Sequence, residues 1–300
     1  MPPKPDATGF HPELRRLARL LPSPAITPAL VRAMRIAQAT TDRRTPHGVQ
    51  RLTLTTGVGV RLHRPRGGGS GGALLWIHGG GYVIGTPAQD DRICRRFADE
   101  LGITVAAVKY RLAPEHPYPA GLADCYTALR WLSGLPSVDP ERIAIGGSSA
   151  GGGLAAALVQ LSHDRGEIPA RAQLLVYPML DDRSASRPGV DNSTFRLWNQ
   201  KANRYSWAAY LGGADPAIAA PARRPDLSGL PPAWIGVGSL DLFHDEDLEY
   251  AEQLRAAGVP CEVSVIPGAF HGFDTVAANT TVAQSFLNQQ VQFLRRELAA

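Results

Sequence analysis

The sequence predicts an α/β fold: a mostly parallel, twisted sheet with helices on both faces and a helical cap. Three observations predict it. From residue 73 onward, short apolar runs alternate with longer amphipathic stretches. Runs such as ALLWIH and ITVAAVKY show no polar alternation, as expected of strands buried on both faces and joined by helical crossovers. One long interruption, about residues 181–229, falls late in that rhythm, and an insertion of this size in a compact domain usually carries function.

The elements follow in order. Residues 11–40 hold two short helical patterns broken by Pro22, Pro24 and Pro28. VQRLTLTT and GVGVRLHRP alternate and meet near Gly57, which reads as a hairpin at a sheet edge. RGGGSGG over 66–72 is a flexible surface linker. Then come the strand ALLWIHG, the helix QDDRICRRFADELG, the strand ITVAAVKY and the helix AGLADCYTALRWLSGL. RIAIGG, SAGGGLAAALVQLSHD and AQLLVYP continue the alternation. After the insertion, which has a helical stretch near 194–211, come PAWIGVG, DEDLEYAEQLRAAG, CEVSVIP and a last helix through VQFLRREL. Residues 1–45 and 181–229 are expected to form a cap on a main domain spanning 46–300. Phe195, Trp198, Tyr205, Trp207 and Tyr210 are expected to pack the insertion onto that domain, with lining a pocket as the alternative.

Composition narrows the function classes. A chain of 300 residues accommodates one α/β domain with an added cap, and its core needs no covalent staples. The net charge of +4 comes from arginines scattered among carboxylates, with no basic stripe, so nucleic-acid binding is not expected. Cys94, Cys125 and Cys261 are odd in number and widely spaced, which fits neither a disulfide framework nor a zinc site. No apolar run reaches the roughly 18–20 residues of a membrane span, and MPPKPDATGF has no signal-like apolar core. The expected location is cytoplasmic, and a homodimer is left open.

The stretch Gly146-Gly147-Ser148-Ser149-Ala150-Gly151-Gly152-Gly153 carries the chemistry. A P-loop needs Lys and then Ser or Thr after its last glycine, and none is present. Gly151-Gly152-Gly153-Leu154-Ala155-Ala156 matches a dinucleotide pattern but starts too far beyond the strand for a pyrophosphate turn. A glycine-rich helix start with two capping serines is the plain alternative. The remaining reading is G-x-S-x-G, a sharp strand-to-helix turn that exposes a serine hydroxyl. Residues two before and two after the nucleophile approach closely there, which favours glycine. Ser149 has Gly147 and Gly151 at those positions, whereas Ser148 would have Gly146 and Ala150. Ser149 is the serine that fits.

His78-Gly79-Gly80-Gly81-Tyr82 follows directly on an apolar strand, upstream of the serine, as an oxyanion loop should. The N–H groups of Gly80, Gly81 and Ala150 are the expected donors to a tetrahedral oxyanion. A base and its orienter are expected in the order serine, acid, histidine. Asp241 and His271 lie just beyond predicted strands, as Ser149 does. Asp245 and Glu246 read better as the acidic first turn of the next helix, and His244 sits too close to Asp241 to bridge it to the serine. His163 reads as a surface histidine.

With these residues placed, the chain resembles the hormone-sensitive-lipase-like branch of the α/β-hydrolase fold, a large group of bacterial esterases. HGGGY, YRLAPEHPYPA, GSSAGG, YPMLDDR and FHGF all resemble its landmarks over most of residues 70–298. The resemblance implies Ser149 as nucleophile, Asp241 as acid, His271 as base, and Gly80, Gly81 and Ala150 as oxyanion hole. It also implies that His78 braces its loop without doing chemistry. Ser148 stands where the family usually has Asp or Thr, and Leu242-Phe243-His244 replaces a usual Pro-Leu-Arg. The implied activity is serine carboxylesterase on a small-molecule ester of short to medium acyl length, with no cofactor and no metal. Amidase, lactonase or acyltransferase activity on the same triad, or a non-catalytic cap-gated receptor, are the alternatives.

Overall fold

The computed structural model describes residues 9–23 and 26–299. Pro24 and the first eight residues, part of the expected cap, lie outside the described residues. Helices α1 (Arg15–Leu20) and α2 (Pro28–Asp42) precede the hairpin β1 (Val49–Thr53) and β2 (Gly59–His63). The strands and helices β3 (Ala73–Ile77), α3 (Asp91–Leu101), β4 (Thr104–Lys109), α4 (Ala120–Ser133), β5 (Ile143–Ser148), α5 (Ala150–Arg165) and β6 (Ala172–Val176) then alternate. The insertion carries α6 (Gln200–Leu211) and α7 (Pro216–Ala219). The strand β7 (Ala233–Gly238), α8 (His244–Ala256), β8 (Cys261–Ile266), α9 (Phe273–Val276) and α10 (Thr281–Glu297) follow.

Among the described residues these strands form one sheet of eight, in the order β1-β2-β4-β3-β5-β6-β7-β8. The hairpin pairs antiparallel, both internally and with β4, and every other pairing is parallel. The period of two in the strands divides the core. Leu75 and Ile77 pack with Leu129, Leu154 and Tyr250 on one face, and Leu74 and Trp76 pack with Phe97, Phe286 and Leu294 on the other. Each such side chain, taken fully out of water, contributes about 1.5–3 kcal/mol. The central strands β3 to β7 need almost no solvent face, which explains their largely unbroken apolar runs.

Several helix starts differ from the sequence expectation, two of them near the site. The insertion helix begins at Gln200 rather than near 194, because Asn199 is extended and its Oδ1 accepts the Ala202 N–H at 2.9 Å. That cap sets the first turn. Helix α8 begins at His244, so this histidine is part of the helix and does not precede it.

The parallel register decides where function can sit. Ile77 at the end of β3 lies level with Gly147 of β5, so the segments leaving the two strands emerge side by side. The loops after β3, β5, β6, β7 and β8 all open at the carboxyl edge of the sheet. Ligand sites of open α/β sheets lie at this edge.

Candidate active site

Ser149 sits on the turn between β5 and α5 with φ 56° and ψ −123°, a conformation that costs a non-glycine residue strain. The surroundings hold it there: its N–H donates to Val176 O at 2.9 Å, and its carbonyl accepts from Met179 N and Gly153 N, both at 3.0 Å. A Cβ on Gly147 would fall 2.4 Å from Gly151 O, and one on Gly151 would fall 2.0 Å from Ile77 O. The close approach that favoured Ser149 over Ser148 is present at both glycines.

Two hydrogen bonds join the three sequence-predicted side chains. Ser149 Oγ lies 3.0 Å from His271 Nε2, and His271 Nδ1 lies 2.8 Å from Asp241 Oδ2. Asp241 Oδ1 accepts the Phe243 N–H at 3.0 Å, which fixes the carboxylate plane. All three residues are buried. The rivals pair elsewhere: His244 Nδ1 contacts Asp245 Oδ1 at 2.8 Å, and Arg187 donates to Asp245 at 3.1 Å. His163 is exposed.

The glycine loop after β3 is folded against this turn. A Cβ on Gly79 would meet Ser149 Cβ at 3.2 Å. Gly80 and Gly81 take φ of 125° and 58°, open to glycine and strained for other residues. Among the described residues no acceptor takes the N–H of either glycine. Ala150, first in α5, has no acceptor within its helix. His78 Nδ1 donates to Gly79 O at 2.8 Å, and its ring stacks on Tyr110 at 4.3 Å. Burial lowers its pKa to about 4, so the imidazole is neutral near pH 7.

Sequence reasoning missed the aromatic shell. Tyr177 meets the His271 ring edge-on at 4.8 Å, Phe243 does so at 5.2 Å, and the Trp198 indole lies at 6.2 Å. Tyr177 is anchored by donating its hydroxyl to Asp274 at 2.7 Å. Trp207 and Tyr210 pack on Tyr82, as expected of cap packing, and the Tyr82 hydroxyl donates to Met179 O at 2.9 Å. Trp198 takes the alternative role and borders the imidazole of His271. The position of Tyr177, immediately past a buried strand, was the available signal for a site residue.

A groove of about 1090 Å³ lies between α2, the β1–β2 hairpin and the end of β4. Of its cations, Arg35, Lys109, Arg61 and Arg111 are matched by Glu115, Asp42, Asp91 and Asp124. Among the described residues no three His, Cys, Asp or Glu side chains are grouped to hold a metal ion.

Glu246 ties the acid loop to the insertion. Its Oε1 accepts the N–H groups of Leu180 and Asp181 at 2.8 and 3.1 Å, and burial raises its pKa from 4.5 to about 8. A carboxyl with a raised folded pKa contributes stability that is present at low pH and lost as pH climbs through the folded value. The melting temperature is therefore expected to fall between about pH 4.5 and 8. Asp90, raised to about 7, and Asp247 act in the same direction. Glu246→Gln keeps the accepting oxygen, and should reduce the fall by at least about 2 °C in melts across this window.

Comparisons with known proteins give the family and the class of enzyme. A family model described as the alpha/beta hydrolase fold matches residues 74–275. The chain is 38% identical to Esterase LipI of Mycobacterium tuberculosis, over 74% of this chain and 72% of the relative. It is 34% identical to an ethyl acetate hydrolase of Pseudomonas putida over 84% of each. A solved structure titled bacterial heroin esterase superposes with TM-score 0.85 at 36% identity, covering 97% of this chain and 98% of that one. The chain belongs to the α/β-hydrolase family, in its bacterial hormone-sensitive-lipase-like branch. Its class is carboxylic ester hydrolase. No described helix is long and apolar enough to cross a membrane.

Proposed function

We propose that this esterase hydrolyses small-molecule esters of short to medium acyl length through an acyl-enzyme on Ser149. The observation that carries the reading is the pair of hydrogen bonds linking Ser149 Oγ, His271 and Asp241. As Ser149 Oγ attacks the ester carbonyl, His271 Nε2 takes its proton. Asp241 holds Nδ1–H and stabilises the imidazolium that forms. The oxyanion is received by the N–H groups of Gly80, Gly81 and Ala150, each worth about 2.7–4 kcal/mol of transition-state stabilisation. His271 then returns the proton to the leaving alkoxide. A water, deprotonated by the same nitrogen, releases the acid.

The cap belongs to this reading. Residues 181–229 and the N-terminal helices cover the edge where the three side chains meet. Arg196 Nε donates to Ala18 O and Leu197 N–H to Pro22 O, so the two segments are tied to each other. A cap of this kind selects the ester and leaves the bond chemistry to the triad.

The test is a series of p-nitrophenyl esters from acetate to octanoate, read by stopped flow. A burst of nitrophenol followed by slower turnover, with kcat/KM greatest at the short end, is expected. Inactivity on every member would overturn the reading in favour of a cap-gated receptor.

A further inference from the structure

Trp198 stands just before the Asn199 cap of α6 and is only 6% exposed. Its indole reaches the reacting corner from the cap. A Cβ built on Gly81 would fall 2.2 Å from Trp198 Cη2 and 3.0 Å from Cζ2, so the six-membered ring rests on the Gly81 backbone. The same ring borders His271. One side chain thus spans from the glycine loop to the imidazole.

The backbone around it is fixed from two sides. Leu197 has φ 63°, and a Cβ on Gly272, beside His271, would lie 3.5 Å from its Cδ1. Asn199 Nδ2 donates to Ser23 Oγ at 2.9 Å, next to the bonds of Arg196 and Leu197 to the N-terminal segment. Helix α6 continues from there, with Trp207 and Tyr210 packed on Tyr82. Held this way, the indole is a wall.

The tetrahedral carbon fixes what that wall meets. Of its four substituents, one is Ser149 Oγ and one is the oxyanion beneath the glycine loop. The leaving oxygen has to lie within reach of His271 Nε2 to be protonated. The acyl carbon takes the remaining direction. Resting on the esterase reading above, we propose that the acyl chain runs past the glycine loop on which the indole rests and that Trp198 limits it: short acyl groups pass freely, and linear chains are turned over more slowly as they lengthen and meet the indole.

The experiment compares wild type with Trp198→Ala and Trp198→Phe on p-nitrophenyl acetate, butyrate, hexanoate and octanoate. A second arm keeps the acyl group as acetyl and lengthens the alcohol from methyl to hexyl. Trp198→Ala is expected to raise the hexanoate-to-acetate ratio of kcat/KM by at least about tenfold, since single methylenes already discriminate by 10–200-fold in apolar pockets. Trp198→Phe should fall between, and the alcohol series should keep its profile. An unchanged acyl ratio in an active Trp198→Ala enzyme overturns the proposal, as does a shift confined to the alcohol series. If Trp198→Ala does not fold, Trp198→Leu carries the same comparison with more of the volume retained. Phosphonylation of Ser149 by methyl- against hexylphosphonate p-nitrophenyl esters reads the same limit without turnover. A wild type inactive towards all of these reagents removes the esterase reading itself. An active wild type with an unmoved acyl profile removes only the role of Trp198.

Discussion

Ser149→Ala is expected to lower kcat by about 10⁶-fold, while Ser148→Ala stays within about tenfold of wild type. The asymmetry comes from the backbone. Only Ser149 occupies the turn at φ 56° that carries its Oγ to 3.0 Å from His271 Nε2. Ser148 is still the last residue of β5, paired with Val176, and its Oγ lies over Gly79. The loss at Ser149 should appear in kcat with KM little changed, because the hydroxyl reacts and does not hold the ground state. Active-site titration with a chromogenic phosphonate should give one equivalent for wild type and Ser148→Ala, and none for Ser149→Ala. The reverse pattern would show that the turn presents the other serine.

Legibility followed the range of the forces involved. The buried parallel strands were readable because burial on both faces writes itself into consecutive apolar residues, as in ALLWI and AQLLV. Ser149 was readable because its neighbours at a distance of two must lack a Cβ. The acid and the histidine followed from their places after β7 and β8. What stayed hidden depends on contacts between distant segments. Nothing local announces that Phe243 borders the imidazole, or that Glu246 binds the N–H groups of Leu180 and Asp181. Leu197 carries no residue-type signal for its positive φ, so the bend that aims Trp198 at Gly81 was invisible. An aromatic-rich insertion reads the same whether each ring packs the cap or borders the site.

Asp241→Asn should cost about 10⁴-fold in kcat, through the identity of one proton on His271. Oδ1 of Asp241 accepts the Phe243 N–H at 3.0 Å, and Oδ2 accepts Nδ1–H of the imidazole at 2.8 Å. An asparagine has one accepting oxygen for these two donors. If that oxygen keeps the Phe243 N–H, the amide NH₂ faces Nδ1 and donates to it. The ring then carries its proton on Nε2 and can no longer take one from Ser149. Turning the amide over would restore the imidazole at the expense of two N–H groups facing each other in a buried site, which costs about 1–3 kcal/mol. The loss should therefore fall on kcat for every ester alike, leaving chain-length preference unchanged, because the acid touches no part of the substrate. Asp245→Asn, which alters the His244 and Arg187 contacts on the far side of the acid loop, should stay within a few-fold of wild type. Steady-state kinetics of the two variants on p-nitrophenyl acetate decides the matter. A loss under tenfold in Asp241→Asn together with a large one in Asp245→Asn would move the orienting role to Asp245.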